Sequence, residues 1–189
     1  MSIAPDVRGV NVPLAGDYEI DPQHSMIGFV VRHLMVSKVR GRFNAFTGTL
    51  HVAGDPAESK VTVEIDLASI DTGSDQRDEH LRSADFFDVA NDPTMNFTAT
   101  GMAWSGDETG RVTGDLTLHG VTRPVTLDFE YLGAITDPMA GGTRVGFSAV
   151  GMLDREEFGL TYNATLDGGG VMIGKSISLE LEVEALRES

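Results

Sequence analysis

The chain has 189 residues, 41% of them hydrophobic, which is enough for one domain with a sizeable core and short for two. Its formal net charge is −15, with 14 Lys and Arg against 29 Asp and Glu. That balance argues against a nucleic-acid partner, which needs a basic face, and against resting on an anionic membrane surface. The lack of cysteine excludes disulfides, thiolate metal sites and cysteine nucleophiles.

The opening stretch MSIAPDVRGVNVPLAG places Asp6 and Arg8 where a secretion signal needs an unbroken apolar run. Residues 1–15 therefore read as a flexible arm, residues 16–189 as a single domain, and the protein as cytoplasmic. No window approaches 18 uninterrupted apolar residues, so the chain does not read as an integral membrane protein.

Period-2 segments then recur between turn signals. SMIGFVVRHL aligns Ile27, Phe29 and Val31 on one face, with His33 at its end. KVRGRFNAF sets Val39, Gly41 and Phe43 against Lys38, Arg40 and Arg42. Phe46, Leu50 and Val52 carry the opposite parity, which predicts a bulge or turn near Asn44–Ala45. KVTVEIDL alternates cleanly. MNFTATGMAW puts Met95, Phe97, Ala99 and Gly101 together, and GRVTGDLTL puts Val112, Gly114, Leu116 and Leu118 together. PVTLDFEYL, RVGFSAVGML (with Phe147 and Ala149) and SISLELEVEAL complete about eight strands. Hairpin turns are expected at SGDETG (105–110), at Gly120 and at DGGG (167–170). Sequential hairpins make an all-β antiparallel sheet that stacks as a sandwich or closes as a barrel.

One helix is expected over about 75–84, inside RDEHLRSADFFD. Thr72, Ser74 and Asp75 are N-cap types, and Asp78 and Arg82 are spaced to pair on its surface. Asp78 and His80, two apart, do not face each other on a helix, and the five histidines form no metal-ligand spacing. No catalytic residue and no metal site is assigned.

Small residues recur on the inward faces: Gly41, Gly101, Gly114, Gly151, Ala99 and Ala149. They reflect either barrel curvature or room for a ligand. A buried methylene is worth about 0.8 kcal/mol, whereas association costs on the order of 4–15 kcal/mol. An apolar cavity therefore binds by a long tail, with a dozen or more carbons buried.

Four blocks, DPQHSMIGFVVRHLMVSKVRGRF (21–43), SIDTGSDQRDEHLRSADFFD (69–88), GDLTLHGVTRPV (114–125) and DREEFGL (154–160), occur in the order of the YceI-like, polyisoprenoid-binding family. The chain resembles that family from about Tyr18 to Ala185. The resemblance implies an eight-stranded, lipocalin-like antiparallel barrel with the helix near one end. It implies a small-molecule partner, an isoprenoid or similar amphiphilic lipid (a polyprenyl pyrophosphate or a quinone), held in an apolar cavity. It further implies no established catalysis, no cofactor beyond such a lipid, and often a homodimer. On this reading Phe29, Val31, His33, Phe43, Phe97, Leu116, Phe147 and Phe158 line the cavity, Leu81, Phe86 and Phe87 line it or cap one barrel end, and Arg77, Asp78, His80 and Arg155 anchor the lid or the ligand's head group. The alternatives are an enzyme acting on that head group and a barrel whose core is filled. Lys38, Arg40 and Arg42 are either a solvated strand face or a seat for a pyrophosphate.

Overall fold

The computed structural model describes residues 4–5, 11–106, 108–139, 141–165 and 170–187. Strand β1 runs in two halves, Gly16–Ile20 and Met26–His33, and β2 in two halves, Ser37–Phe43 and Phe46–Val52. Then come β3 (Lys60–Asp66), helix α1 (Asp75–Arg82), β4 (Thr94–Trp104), β5 (Thr109–Leu118), β6 (Val121–Thr136), β7 (Thr143–Asp154) and β8 (Ile173–Arg187). Each strand pairs antiparallel with the next in the chain, and β8 pairs back onto β1. The result is the closed eight-stranded antiparallel barrel that the sequence resemblance implies.

Closure is made by β8 alone. Its C-terminal part holds the first half of β1 (Ala185 opposite Ile20), and its N-terminal part holds the second half (Leu179 opposite Phe29). Between the halves, residues 21–25 leave the ladder and are pinned to Glu184. The Glu184 carbonyl accepts from the Asp21 N–H (2.9 Å) and from Ser25 Oγ (3.2 Å), and its N–H donates to Ser25 Oγ (2.9 Å).

From β7, Arg144 clamps this seam. Its Nη1 donates to Asp21 (2.8 Å) and Glu184 (2.9 Å), and its Nε donates to the buried Asp137 (2.6 Å). Burial pushes the Asp21 carboxyl upward, but hydrogen bonds from Arg144, His24 and the Gln23 N–H outweigh it and bring the group down to about 2.

The inward faces follow the expected alternation until breaks in β2, β4 and β6 shift the phase. In β2 the break falls at Asn44–Ala45, as the parity change predicts, so that Phe43 and Phe46 both turn inward and are buried. In β4 the shift was not foreseen. Ala99 sits opposite Gly114 and Gly101 opposite Thr113, which makes Thr100 an extra residue. Past it the inward positions are Met102 and Trp104, and Gly101 faces outward. In β6 a second such residue, Leu132, is turned out to solvent.

The inward glycines serve neighbouring side chains. A Cβ on Gly114 would meet the Phe97 ring at 2.4 Å and the Thr98 carbonyl at 2.6 Å. Gly41 lies beneath Phe29 and Gly151 beneath Leu127 in the same way. Large groups thus lie flat on the next strand. Gly101 meets nothing within 4 Å. Of the predicted turns, 119–120 adopts positive φ at both His119 and Gly120, the geometry of a two-residue hairpin. The DGGG turn falls outside the described residues except for Gly170.

Two outcomes are expected. Gly114→Ala costs about 1–3 kcal/mol by overpacking against Phe97, whereas Gly101→Ala is neutral within about 0.5 kcal/mol; urea unfolding of both variants distinguishes them. Because the carboxyl of Asp21 is depressed in the folded state, its stabilisation is present above about pH 4 and is lost as pH falls towards 2. The gap in urea midpoint between the wild type and Asp21→Asn is therefore expected to be widest at neutral pH and to close over that interval.

Candidate functional site

All eight strands contribute to one internal cavity of about 190 Å³. Its wall is aliphatic and aromatic, and Ser59 is the one hydroxyl side chain in the lining. No charged side chain among the described residues lines it. Phe97, Leu116 and Phe147 belong to this wall, together with Met95, Met102 and Trp104. The last three arrive from β4, two of them by way of the slip at Thr100.

The lining extends to Val12 and Pro13, and to Pro56 and Ser59, at one end of the barrel. It includes no residue from 67–92, the connection that carries α1. The helix end is instead a packed floor: Leu67, Ile70 and Phe158 are at most 1% exposed, and Phe86 is 6% exposed. Phe43 packs between Phe29 (5.8 Å) and Phe87 (6.0 Å), and Leu81 packs against the same core. His33 and Val31 sit at the β1–β8 seam opposite Ile173 and Ile177. Phe29, Val31, His33, Phe43, Leu81, Phe86, Phe87 and Phe158 are thus gathered at the floor end, away from the cavity wall.

The four candidate anchors hold the chain to itself. Arg77 donates to Thr72 Oγ1 and to its carbonyl (both 2.7 Å). Buried Asp78 accepts from the Thr72 N–H (3.0 Å) and from the Thr72 hydroxyl. Together they tie the helix to the segment that precedes it. The expected pairing of Asp78 with Arg82 does not form: Arg82 donates instead to the carbonyls of Ala68 (2.8 Å) and Ile70 (2.9 Å), because Asp78 points inward to Thr72. His80 pairs with Asp85 (2.8 Å) and stands edge-on between Phe86 and Tyr162. Arg155, 4% exposed, staples the chain where it turns towards β8, donating to the carbonyls of Gly174, Leu160 and Ile173. Burial pushes its guanidinium below the usual range, against the opposing field of Glu156 and Asp154.

Lys38, Arg40 and Arg42 are exposed on the outer face of β2, where Arg42 pairs with Asp71 (3.3 Å) and Arg40 approaches Glu180 (3.9 Å). A second hollow, of about 280 Å³, opens beside the Arg144 clamp. Its charged lining includes Arg144 and Glu184, already engaged in that clamp. Among the described residues no cluster of three or more His, Asp or Glu could hold a metal ion, and no helix is long and apolar enough to cross a membrane.

The geometry has clear counterparts. The YceI-like domain matches residues 18–185. Protein YceI of Escherichia coli O6:H1 is 44% identical over 150 residues, 78% of each chain. The YCEI protein of Campylobacter jejuni superposes with a TM-score of 0.72 at 32% identity, over 84% of this chain and 90% of that one. A polyisoprenoid binding domain from Saccharophagus degradans superposes with a TM-score of 0.65 over 89% and 97%, and at 19% identity that likeness is one of fold. With nearly the whole barrel matched and close relatives in sequence, this chain belongs to the YceI-like family.

Proposed function

We propose that this protein takes up the hydrocarbon chain of an amphiphilic lipid, an isoprenoid foremost, and carries it inside the barrel. The observation that carries the reading is a cavity with contributions from every strand and, among the described residues, no charged group in its wall. Such a cavity rewards apolar length and little else. The S. degradans neighbour, described as a polyisoprenoid binding domain, supports the reading.

The volume sets terms. About 190 Å³ holds roughly six water-sized groups. Six buried methylenes at about 0.8 kcal/mol each give roughly 5 kcal/mol, near the lower end of the cost of association, on the order of 4–15 kcal/mol. A bound lipid must therefore bury about twice that length. Met95 and Met102, unbranched and adaptable, are the wall residues best suited to yield. Beyond them the chain runs out past Val12 and Pro13, because the helix end is packed. Hydrolysis of a head group receives no support from Arg77, Asp78 and His80, whose partners are Thr72 and Asp85.

Mass spectrometry of an organic extract of the purified protein is expected to show a prenyl lipid, and the stripped protein to take one up in vitro. Ala149→Phe, which fills the wall opposite Phe129, is expected to cut that uptake at least tenfold while circular dichroism still reports a folded barrel. An empty extract with no uptake, or undiminished uptake by the filled variant, overturns the reading.

A further inference from the structure

The cavity is shut at its two ends by different means. At the α1 end the floor is pinned: Arg82 donates to the carbonyls of Ala68 and Ile70, and Arg77 and Asp78 hold Thr72. At the other end two short pieces complete the lining, Val12 with Pro13 and Pro56 with Ser59. The second piece belongs to the tight connection between β2 and β3, where Ser59 Oγ accepts from the Ala53 N–H at 3.1 Å. The first belongs to a strap, residues 12–15, that leads into β1. Val12 is 8% exposed and Pro13 is buried, so the strap has a seat. Among the described residues, however, no backbone hydrogen bond ties residues 12–15 to the barrel.

Two barrel side chains hold the strap by its carbonyls. The Tyr18 hydroxyl donates to Leu14 (2.8 Å), and Arg187 Nη1 donates to Ala15 (2.6 Å). Arg187 also lies over the Tyr18 ring at 5.7 Å, so the two bonds form one latch. Gly16 joins the strap to β1 with φ at +147°, a conformation that residues with a side chain rarely adopt. A Cβ there would meet Arg187 Cδ at 2.7 Å. The strap thus has a seat, a latch and a hinge. It precedes the YceI-like domain, which begins at residue 18, and the closing pair Ile20 and Ala185 lies beyond the hinge.

We infer that residues 12–15 are a gate: they shut the cavity of the empty protein, and a long prenyl chain enters and stays by displacing them. This rests on the lipid-carrier reading and adds to it where the chain passes and what holds the way shut. The closed cavity, about 190 Å³, is too short for a chain that binds well. The floor and the strand ladder are fixed by many bonds, whereas the strap hangs on two. Closed, Val12 and Pro13 keep water off an apolar wall; open, the lipid covers that wall in their place. The latch therefore competes with the cargo, and apparent affinity falls by the fraction of molecules that stand open.

The chain has no cysteine, so Val12→Cys sets a single thiol at the seat of the strap, and its rate of reaction with a maleimide reads opening. Saturating geranylgeraniol, a long prenyl alcohol, is expected to raise that rate at least tenfold. Tyr18→Phe and Arg187→Gln each remove one latch bond. Each is expected to raise the rate in the lipid-free Val12→Cys protein roughly threefold to tenfold, and to tighten geranylgeraniol binding by the same factor. Binding is read by the fluorescence of Trp104, the chain's one tryptophan, in the cavity wall. Arg82→Gln, which loosens the floor instead, is expected to lower the melting temperature and change neither quantity. A labelling rate that does not rise with lipid overturns the gate and leaves the lipid-carrier reading intact. So do latch variants with unchanged affinity, and so does an equal gain from Arg82→Gln. Should circular dichroism show a latch variant unfolded, the response of Val12→Cys to lipid decides alone. If the wild type takes up no geranylgeraniol, both readings fall.

Discussion

Everything in this molecule depends on the pairing of the last strand with the first. Ile20 and Ala185 are adjacent in space and separated by nearly the whole chain. Loop-closure entropy grows only slowly with length, by about 0.6 kcal/mol per doubling, so the long span is less of an obstacle than the geometry. A barrel strand must tilt and coil, and one unbroken ladder from 16 to 33 would have to follow β8 through its full curvature. The chain instead steps out at residues 21–25 and rejoins. Glu184 holds the step through the Asp21 N–H and the Ser25 hydroxyl, and Arg144 holds three carboxylates around it. Closure then leaves the ring without an open edge, the condition for enclosing a dry interior.

That interior is divided. Towards α1 the side chains meet as a floor built of Leu67, Ile70, Phe86 and Phe158. Towards Val12 and Pro56 they leave a hollow. The charged residues around the floor serve the division by satisfying the carbonyls of Ala68, Ile70 and Thr72 and the Thr72 N–H, polar groups that the 67–92 connection would otherwise set against apolar neighbours. The aromatic side chains are accommodated by glycine on the neighbouring strand, which lets a large ring lie along the wall.

Much of this was legible in the sequence. Alternation in 61–67, 112–118, 125–131 and 177–185 reports a wall with one wet face, and the parity change around Asn44–Ala45 located a break that the structure contains. The first half of β1 was hidden, because five residues with Tyr18 and Ile20 inward are too short a run to stand out from an arm. The division of the interior was hidden as well. Phe86, Phe87, Phe97 and Phe147 look alike as apolar residues, and which of them floor the barrel or wall the cavity is decided by the path of the 67–92 connection. Arg77, Asp78 and Arg155 announce importance by their type but not their partners, which are backbone and hydroxyl groups that no spacing specifies.

The slip at Thr100 joins these points. A period-2 reading carries Met95, Phe97 and Ala99 inward and then assigns Gly101 to the interior and Trp104 to the outside. One extra residue exchanges them. Gly101 goes to solvent, and the bulky, polar-tipped indole enters an apolar wall beside the equally unpartnered Tyr131 hydroxyl. Stability alone would favour the opposite arrangement, with an unbroken ladder and no buried donor. Bulges of this kind re-aim side chains where function asks for it, and local inconsistency in an otherwise consistent sequence marks the place where something other than folding was selected. In this barrel the inconsistency sits at Thr100 in β4, whose slip brings Met102 and Trp104 to the cavity wall.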